Sequence, residues 1–595
     1  MNHMNLSDCL RPVVLRGRRG SLIGFYHPPS AHAVAVGDVL LVPAFAEEMN
    51  RCRSMVTMQA HALAAIGMGT LVLDLYGTGD SAGDFEDADW EGWRDDLQVG
   101  LSWLRQHGNG CRTLWGVRLG ALMAAEMAAG DNSIDRLLMW VPVVSGKPYW
   151  TQFLRIRIAA EMGMPDGVKS TGVLRAQSAE GQVVEASGYR VRANLAQRLD
   201  QLEMPGGALL AGKTVEWFEV GVSSESAVPR ASTSVVGEWQ ALAVKVKMVQ
   251  VLGPPFWQVH ERELAPALVS ATSEAIRAWP MKIGDRACGA RNVGANETSG
   301  SSILEYPVAF QCLDASMAGV VHSGRVDQGL GVVIVVAGGP QFRVGAHRQF
   351  VSLARLFASN GYAVLRFDLR GMGDSGGGYL GYERSAPDIR AAIDELLRRE
   401  PQVQQVALFG ECESASGILF YAAQDDRVCK IALANPWVRT PGVQAEAILK
   451  HYYLDRLRSP EFWRNVGSGQ YRIGRSLLSF CQVLLAFLRG RKASRAAGSG
   501  QDPFDQLPLP IRTAEGLRRF HGSVLLLMSG RDLIAREFDE VTSSSRAWQG
   551  LLSDRQVVRK DIADADHTFS KPAAKAEAQR TLLNWLVTGL IDSRR

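Results

Sequence analysis

At 595 residues the chain is too long for one hydrophobic core, since single cores stop growing near roughly 250–300 residues. Its 46% hydrophobic and 21% charged residues are ordinary for a folded, water-soluble protein. A formal charge of +4 is too small to select nucleic acid or an anionic membrane as the main partner, and no nucleic acid is expected.

The amino-terminal stretch up to Gly20 has no apolar run of signal-peptide length. The eight cysteines, Cys9, Cys52, Cys111, Cys288, Cys312, Cys412, Cys429 and Cys481, include no close pairs at metal-ligand spacing. That usage fits reduced thiols in a cytoplasm, with neither a metal nor another cofactor expected.

Along the chain, LLVPAFAEE is an apolar strand that ends in a turn around Phe45. LDLYGTGDSAGDF (73–85) follows, and then LWGVRLG (114–120). Each has a counterpart 294 positions on: the turn at Gly339 in IVVAGGPQF, FDLRGMGDSGGGY (367–379) and LFGECES (408–414). An offset that holds without gaps through three motifs indicates two copies of one fold. The copies are assigned to residues 1–281 and 303–595. Between them 282–302 is polar, glycine-rich and aperiodic, which reads as a linker.

In the second copy, short runs apolar on both faces alternate with helical segments: 331–338, 362–369, 406–410, 430–436, 523–530 and 555–562. This pattern predicts a mostly parallel sheet covered by helices on both sides, with chemistry at the carboxyl ends of its strands. The fold class is α/β: two tandem folds of mostly parallel sheets flanked by helices, the second with a helical cap. The cap is assigned to an insert at about 437–520. It includes the apolar run Leu477–Leu488, flanked by Arg475, Arg489, Arg491 and Lys492 and too short to span a bilayer.

The motif that points to chemistry is Gly410-Glu411-Cys412-Glu413-Ser414 between a strand and a helix. A nucleophile elbow needs small residues two places before and after the nucleophile, and Gly410 and Ser414 meet that need. Cys412 would sit at a helix amino terminus, which favours a thiolate, while Glu411 and Glu413 oppose it, so a histidine is required. His567, in DADHTF after the last strand, is the candidate base. Asp532, just after SVLLLMSG, is the candidate acid, with the adjacent Asp566 as its competitor. The order nucleophile, acid, histidine is that of the α/β-hydrolases. An oxyanion hole is expected from the backbone N–H of Glu413 and one of Gly339 or Gln341, because Pro340 has none to give.

In the first copy the same offset puts Arg118 in the seat of Cys412, and GPPFW (253–257) in place of the histidine segment. His260 lies three residues farther on, and in VGVSSESAVP (220–229) no acid is assigned, with Glu225 a candidate. This copy is expected to keep the fold and to lack the chemistry. Arg118 either pairs with Glu47 or Glu48 or captures a ligand carboxylate or phosphate.

LLVPAFAEEMNRCRSM, LDLYGTGDSAGDF, LWGVRLGALMA and GPPFW in the first copy resemble the type-two exosortase A system-associated hydrolases. AGGPQFRVGAHRQF, GECESASG, NPWVRT, LKHYYLDRL and DADHTFS in the second resemble the type-one family of that name. The resemblance covers nearly the whole chain. It implies arginine at the first elbow, cysteine at the second, and bacterial cytoplasmic proteins linked to exopolysaccharide and protein-sorting systems. Glu411 departs from the apolar residue usual before that cysteine.

The leading expectation is a hydrolase or acyltransferase acting on a small-molecule or carrier-linked ester or thioester, in contact with exopolysaccharide biosynthesis proteins. The alternatives are a non-catalytic scaffold of the same system and a peptidase of the serine-aminopeptidase type.

Overall fold

The computed structural model describes residues 10–162, 167–279, 304–324, 329–438, 504–554 and 556–588. The linker at 282–302 lies outside them. So does the body of the insert, 439–503, with its apolar run.

The first sheet is built from β1 (Arg11–Arg16), β2 (Ser21–His27), β3 (Gly37–Val42), β4 (Met68–Leu73), β5 (Cys111–Val117), β6 (Arg136–Trp140), β9 (Thr214–Gly221) and β10 (Lys245–Leu252). A separate hairpin, β7 (Val184–Ala186) with β8 (Tyr189–Val191), is inserted between β6 and β9. The sheet order is β1-β2-β4-β3-β5-β6-β9-β10. Only β1–β2 and β2–β4 pair antiparallel. β3 and β4 are buried at every position, as strands covered on both faces must be.

The second sheet repeats the design with β11 (Leu304–Cys312), β12 (Ala315–Ser323), β13 (Leu330–Val336), β14 (Ala363–Asp368), β15 (Gln405–Glu411), β16 (Val428–Ala434), β17 (Ser523–Ser529) and β18 (Val557–Ile562). Its order, β11-β12-β14-β13-β15-β16-β17-β18, is that of the first sheet strand for strand. The fold is therefore two tandem α/β-hydrolase sheets flanked by helices.

The six strands expected from apolar runs are β13–β18. The antiparallel β11 and β12 were not among them. β11 is half-exposed and polar at several positions, so it makes no continuous apolar run.

By compactness the chain divides into one unit of Met1–Val406 with Ser570–Lys575 and another of Ala407–Phe569 with Ala576–Arg595. The first holds the whole first sheet and β11–β14. The second holds most of β15, from Ala407, and the strands through β18. Among the described residues no helix is long and apolar enough to cross a membrane, and no group of three or more His, Cys, Asp or Glu is placed to hold a metal.

Candidate active site

β15 runs into the helix Glu413–Tyr421 through a single residue, Cys412, at φ 59° and ψ −121°. A side chain in that region costs on the order of 1–3 kcal/mol and persists only where neighbours hold it. Three contacts do so. A Cβ on Gly410 would lie 2.9 Å from the backbone carbonyl carbon of Ser414, so glycine lets the helix come this close to the strand. Ser414 Oγ accepts from the Glu411 N–H and donates to the Glu411 carbonyl, both at 2.8 Å. The Cys412 N–H donates to Ala434 O at 2.9 Å, and its carbonyl accepts from the Trp437 N–H at 3.2 Å, tying the turn to the end of β16.

His567 stands in the loop after β18, with Nδ1 2.7 Å from Asp532 Oδ2. Asp532 is itself fixed, because it caps the helix Leu533–Ser544 by accepting from the N–H groups of Ile534 and Ala535. The Cys412 thiol and the His567 ring lie close enough to shift each other's proton affinity, which groups the three sequence-predicted residues. The carboxylate on the imidazole is thus that of Asp532; adjacent Asp566 offers its carbonyl to the Phe569 N–H.

Two participants were not singled out as partners of the histidine. Asn435, buried at φ 43° just after β16, donates through Nδ2 to Ser529 Oγ at 2.9 Å and to His567 O at 3.0 Å. Its Oδ1 accepts from the Ser529 N–H. The Asn-Pro dipeptide closing KIALANP was the available signal for a special turn there. Glu411, almost wholly buried, places Oε1 4.0 Å from His567 Nε2, on the side of the ring away from Asp532.

Burial lowers the proton affinity of His567, but the bonds to Asp532 and Cys412 and the charge of Glu411 outweigh it, and its pKa is pushed up to about 11. Burial raises the Cys412 thiol. The His567 contact lowers it, and Glu413 and Glu411 raise it further. The pair is therefore a strong base facing a reluctant acid, and the proton between them belongs to both.

Glu413 opens the helix after the elbow, so its N–H is in the first turn. Gly338 and Gly339 both have positive φ, 91° and 56°. Gln341 Nε2 donates to Glu47 Oε1 at 2.7 Å, and its Oε1 accepts from Asn50 Nδ2 at 3.2 Å. Gly339 and Gln341 belong to the first unit and Glu413 to the second.

The first fold has the same elbow with different contents. Arg118 has φ 57° and ψ −121°. Its N–H donates to Trp140 O and its carbonyl accepts from the Val143 N–H, each 294 positions from the equivalent around Cys412. Arg118 Nε and Nη2 reach Glu48 Oε1 at 3.2 Å, and Nη1 reaches Val141 O at 2.9 Å. The guanidinium lies 5.1 Å from the ring centre of Trp257, the aromatic that ends GPPFW. The Val141–Phe218 and Asn435–Leu527 bonds align β9 with β17. This sets Ser223 opposite Asp532; Glu225 is exposed two residues later and His260 is exposed as well. Phe45 fills the space beside this elbow, packing edge-on against Phe85, Trp93, Tyr149 and Phe153.

Residues 333–578 match the model of a family described as the alpha/beta hydrolase family, and this stretch runs from within β13 into the last helix, Pro572–Thr588. No curated protein matches the chain. Similar solved structures include the Pyrococcus furiosus esterase Pf2001, at 17% identity over 50% of this chain and 98% of that one, TM-score 0.33. Another is Est1E from Butyrivibrio proteoclasticus with ferulic acid bound, at 19% identity over 44% and 98%, TM-score 0.33. A third is XC6422 from Xanthomonas campestris, titled a serine hydrolase without lid, at 13% identity over 49% and 97%, TM-score 0.28.

Proposed function

We propose that the second fold cleaves an ester or thioester through a covalent acyl intermediate on Cys412. The observation that carries this reading is the Asp532–His567 hydrogen bond beside Cys412, which sits at a strained elbow. His567 Nε2 takes the thiol proton as Cys412 Sγ attacks the carbonyl carbon. Asp532 holds the ring by Nδ1 and balances the imidazolium. The Glu413 N–H, in the first turn of the helix after the elbow, receives the oxyanion. As the tetrahedral adduct collapses, the bond to the leaving oxygen or sulfur breaks and His567 returns its proton to that atom. Water or an alcohol then attacks the thioester, His567 takes the proton of that acceptor, and the Cys412 thiol is restored.

The resemblance to exosortase-associated families supports a cytoplasmic role on acyl groups of exopolysaccharide or lipid-linked precursors. The first fold, with arginine in the nucleophile's seat, serves as a partner without acyl chemistry.

The test is to incubate the protein with aryl esters and acyl thioesters and to follow both product and the mass of the Cys412 peptide. Wild type should gain the acyl mass on that peptide, and Cys412→Ala and His567→Ala should each lose turnover by at least roughly 1000-fold. Full activity in Cys412→Ala refutes the reading. So does a native thiol that never acylates although the denatured one reacts.

A further inference from the structure

The duplicated turns LDLYGTGDS and FDLRGMGDS do the same work within each fold. In the first, Asp74 Oδ2 accepts from the Asp80 N–H at 2.9 Å, and Ser81 Oγ donates to Asp74 O. In the second, Asp368 Oδ2 accepts from the Asp374 N–H at 2.9 Å, and Ser375 Oγ donates to Asp368 O. The opening aspartate of each motif thus closes its own turn. The second aspartate is not needed for that, and its carboxylate is used elsewhere.

It crosses to the other fold. Arg53, on the helix Glu47–Ala65 of the first fold, grips Asp374 with Nε and Nη2 at 2.7 and 2.8 Å, and holds its own Asp74 with Nη1 at 2.8 Å. Arg343 of the second fold reaches Asp80 with Nε at 2.8 Å, and holds its own Asp368 with Nη1. Each arginine therefore takes the first aspartate of its own motif and the second aspartate of the other, and Arg343 Nη1 also reaches its own Asp374 at 2.9 Å. Each also lies over an aromatic ring: Arg53 over Phe342 at 4.9 Å and Arg343 over Phe25 at 4.7 Å. Arg366 adds a further bond to Asp80 at 2.8 Å. All seven of these charged side chains are at most 2% exposed.

Backbone contacts follow the same reciprocal pattern. Arg348 of the second fold donates to the carbonyls of Gly77, Gly79, Ser81 and Gly83 in the first turn. Thr57 and Arg262 of the first fold donate to the carbonyls of Gly373 and Gly371 in the second. Apolar contacts join Met49 with Phe342, Val344 and Val351, and Leu10 and Phe25 with Ala318. Buried ion pairs are a weak source of net stability, but one that loses its partner is strongly unfavourable, so such a network dictates what may pair with what. Without the second fold Asp80 would lose both Arg343 and Arg366, and without the first Asp374 would lose the two-pronged grip of Arg53 and keep only Arg343 Nη1.

We propose that the chain is a tethered heterodimer, in which each fold carries a dimerisation face specific for a fold of the other type, and the 282–302 segment is dispensable for their association. This surface is independent of the chemistry at Cys412.

The experiment replaces part of 282–302 in the full-length protein with a protease recognition sequence and cuts the purified native protein. The two fragments should co-elute in size exclusion and give the 1:1 complex in native mass spectrometry. Arg343→Ala should raise the dissociation constant of the cut pair by roughly 100-fold or more, and Asp80→Asn, nearly isosteric, should raise it in the same direction. Fragments that separate as soluble monomers, or that precipitate on cutting, overturn the proposal. Unchanged affinity in Asp80→Asn overturns the specific role of the crossed aspartates.

Discussion

Glu411 is the side chain whose effect on the site can be measured most directly. Its carboxylate lies 4.0 Å from His567 Nε2, raises that imidazole and adds to the rise of the Cys412 thiol. Glu411→Gln should therefore move both groups down. The pH at which iodoacetamide alkylation of Cys412 reaches half its limiting rate should fall; an unchanged midpoint would show that the carboxylate is not felt at the thiol. Asp532→Asn leaves a cap on the following helix but removes the charge behind the imidazole, and turnover should drop by roughly 1000- to 10,000-fold with little change in thermal midpoint. Cys412, His567 and Asp532 could be read from the sequence because each follows a strand in a fixed order. Asn435 could not, since its work is to pin a loop more than a hundred residues away, and nothing local to Asn-Pro says which loop.

At the scale of elements, the close approach of helix to strand at both elbows rests on glycine. A Cβ on Gly116 would lie 2.2 Å from Ala121 Cα, and one on Gly120 would lie 2.3 Å from Val42 O. Gly116→Ala should destabilise the protein by about 1–3 kcal/mol in denaturant titration, as expected for overpacking. Gly130, at the end of the helix that starts at Leu119, faces open space, and Gly130→Ala should be neutral or stabilising by up to about 1 kcal/mol. Equal effects would mean that contact is not the reason for glycine at the elbow. The parallel strands were legible because burial on both faces leaves an unbroken apolar run. The leading antiparallel strands were not, because β1 and β11 alternate buried with half-exposed positions and contain proline, as edge strands do.

For the whole molecule, the duplication was legible and the way the copies mate was not. A constant offset of 294 survives in the sequence, but Arg53 and Arg343 are not related by it, so comparing the copies could not single them out. The buried contact also leaves a mark on acid stability. His27 is 3% exposed and its pKa is lowered to about 3, first by burial and then by His61 and Arg53, with Asp374 opposing. Its unfolded pKa is about 6.5, so below that the unfolded chain binds a proton that the folded one refuses. Stability should fall as pH drops from 6.5 toward 3, with this residue contributing about 1.4 kcal/mol per pH unit. Denaturant titrations at pH 7, 6 and 5 should show a shallower decline in His27→Gln than in wild type. Parallel curves would remove His27 from the account.

The paired elbows, at φ 57° and 59° with the same ψ of −121°, separate two things usually read together. Arg118 holds the contorted backbone with no nucleophile to present, so the contortion is inherited from the architecture and is no signature of reactivity. A search for unrecognised enzymes that ranks chains by torsional outliers at strand–helix junctions would score both halves alike. The side chains at and around the junction, Cys412 with His567 and Asp532 in one half against Arg118 with Trp257 and Ser223 in the other, tell them apart.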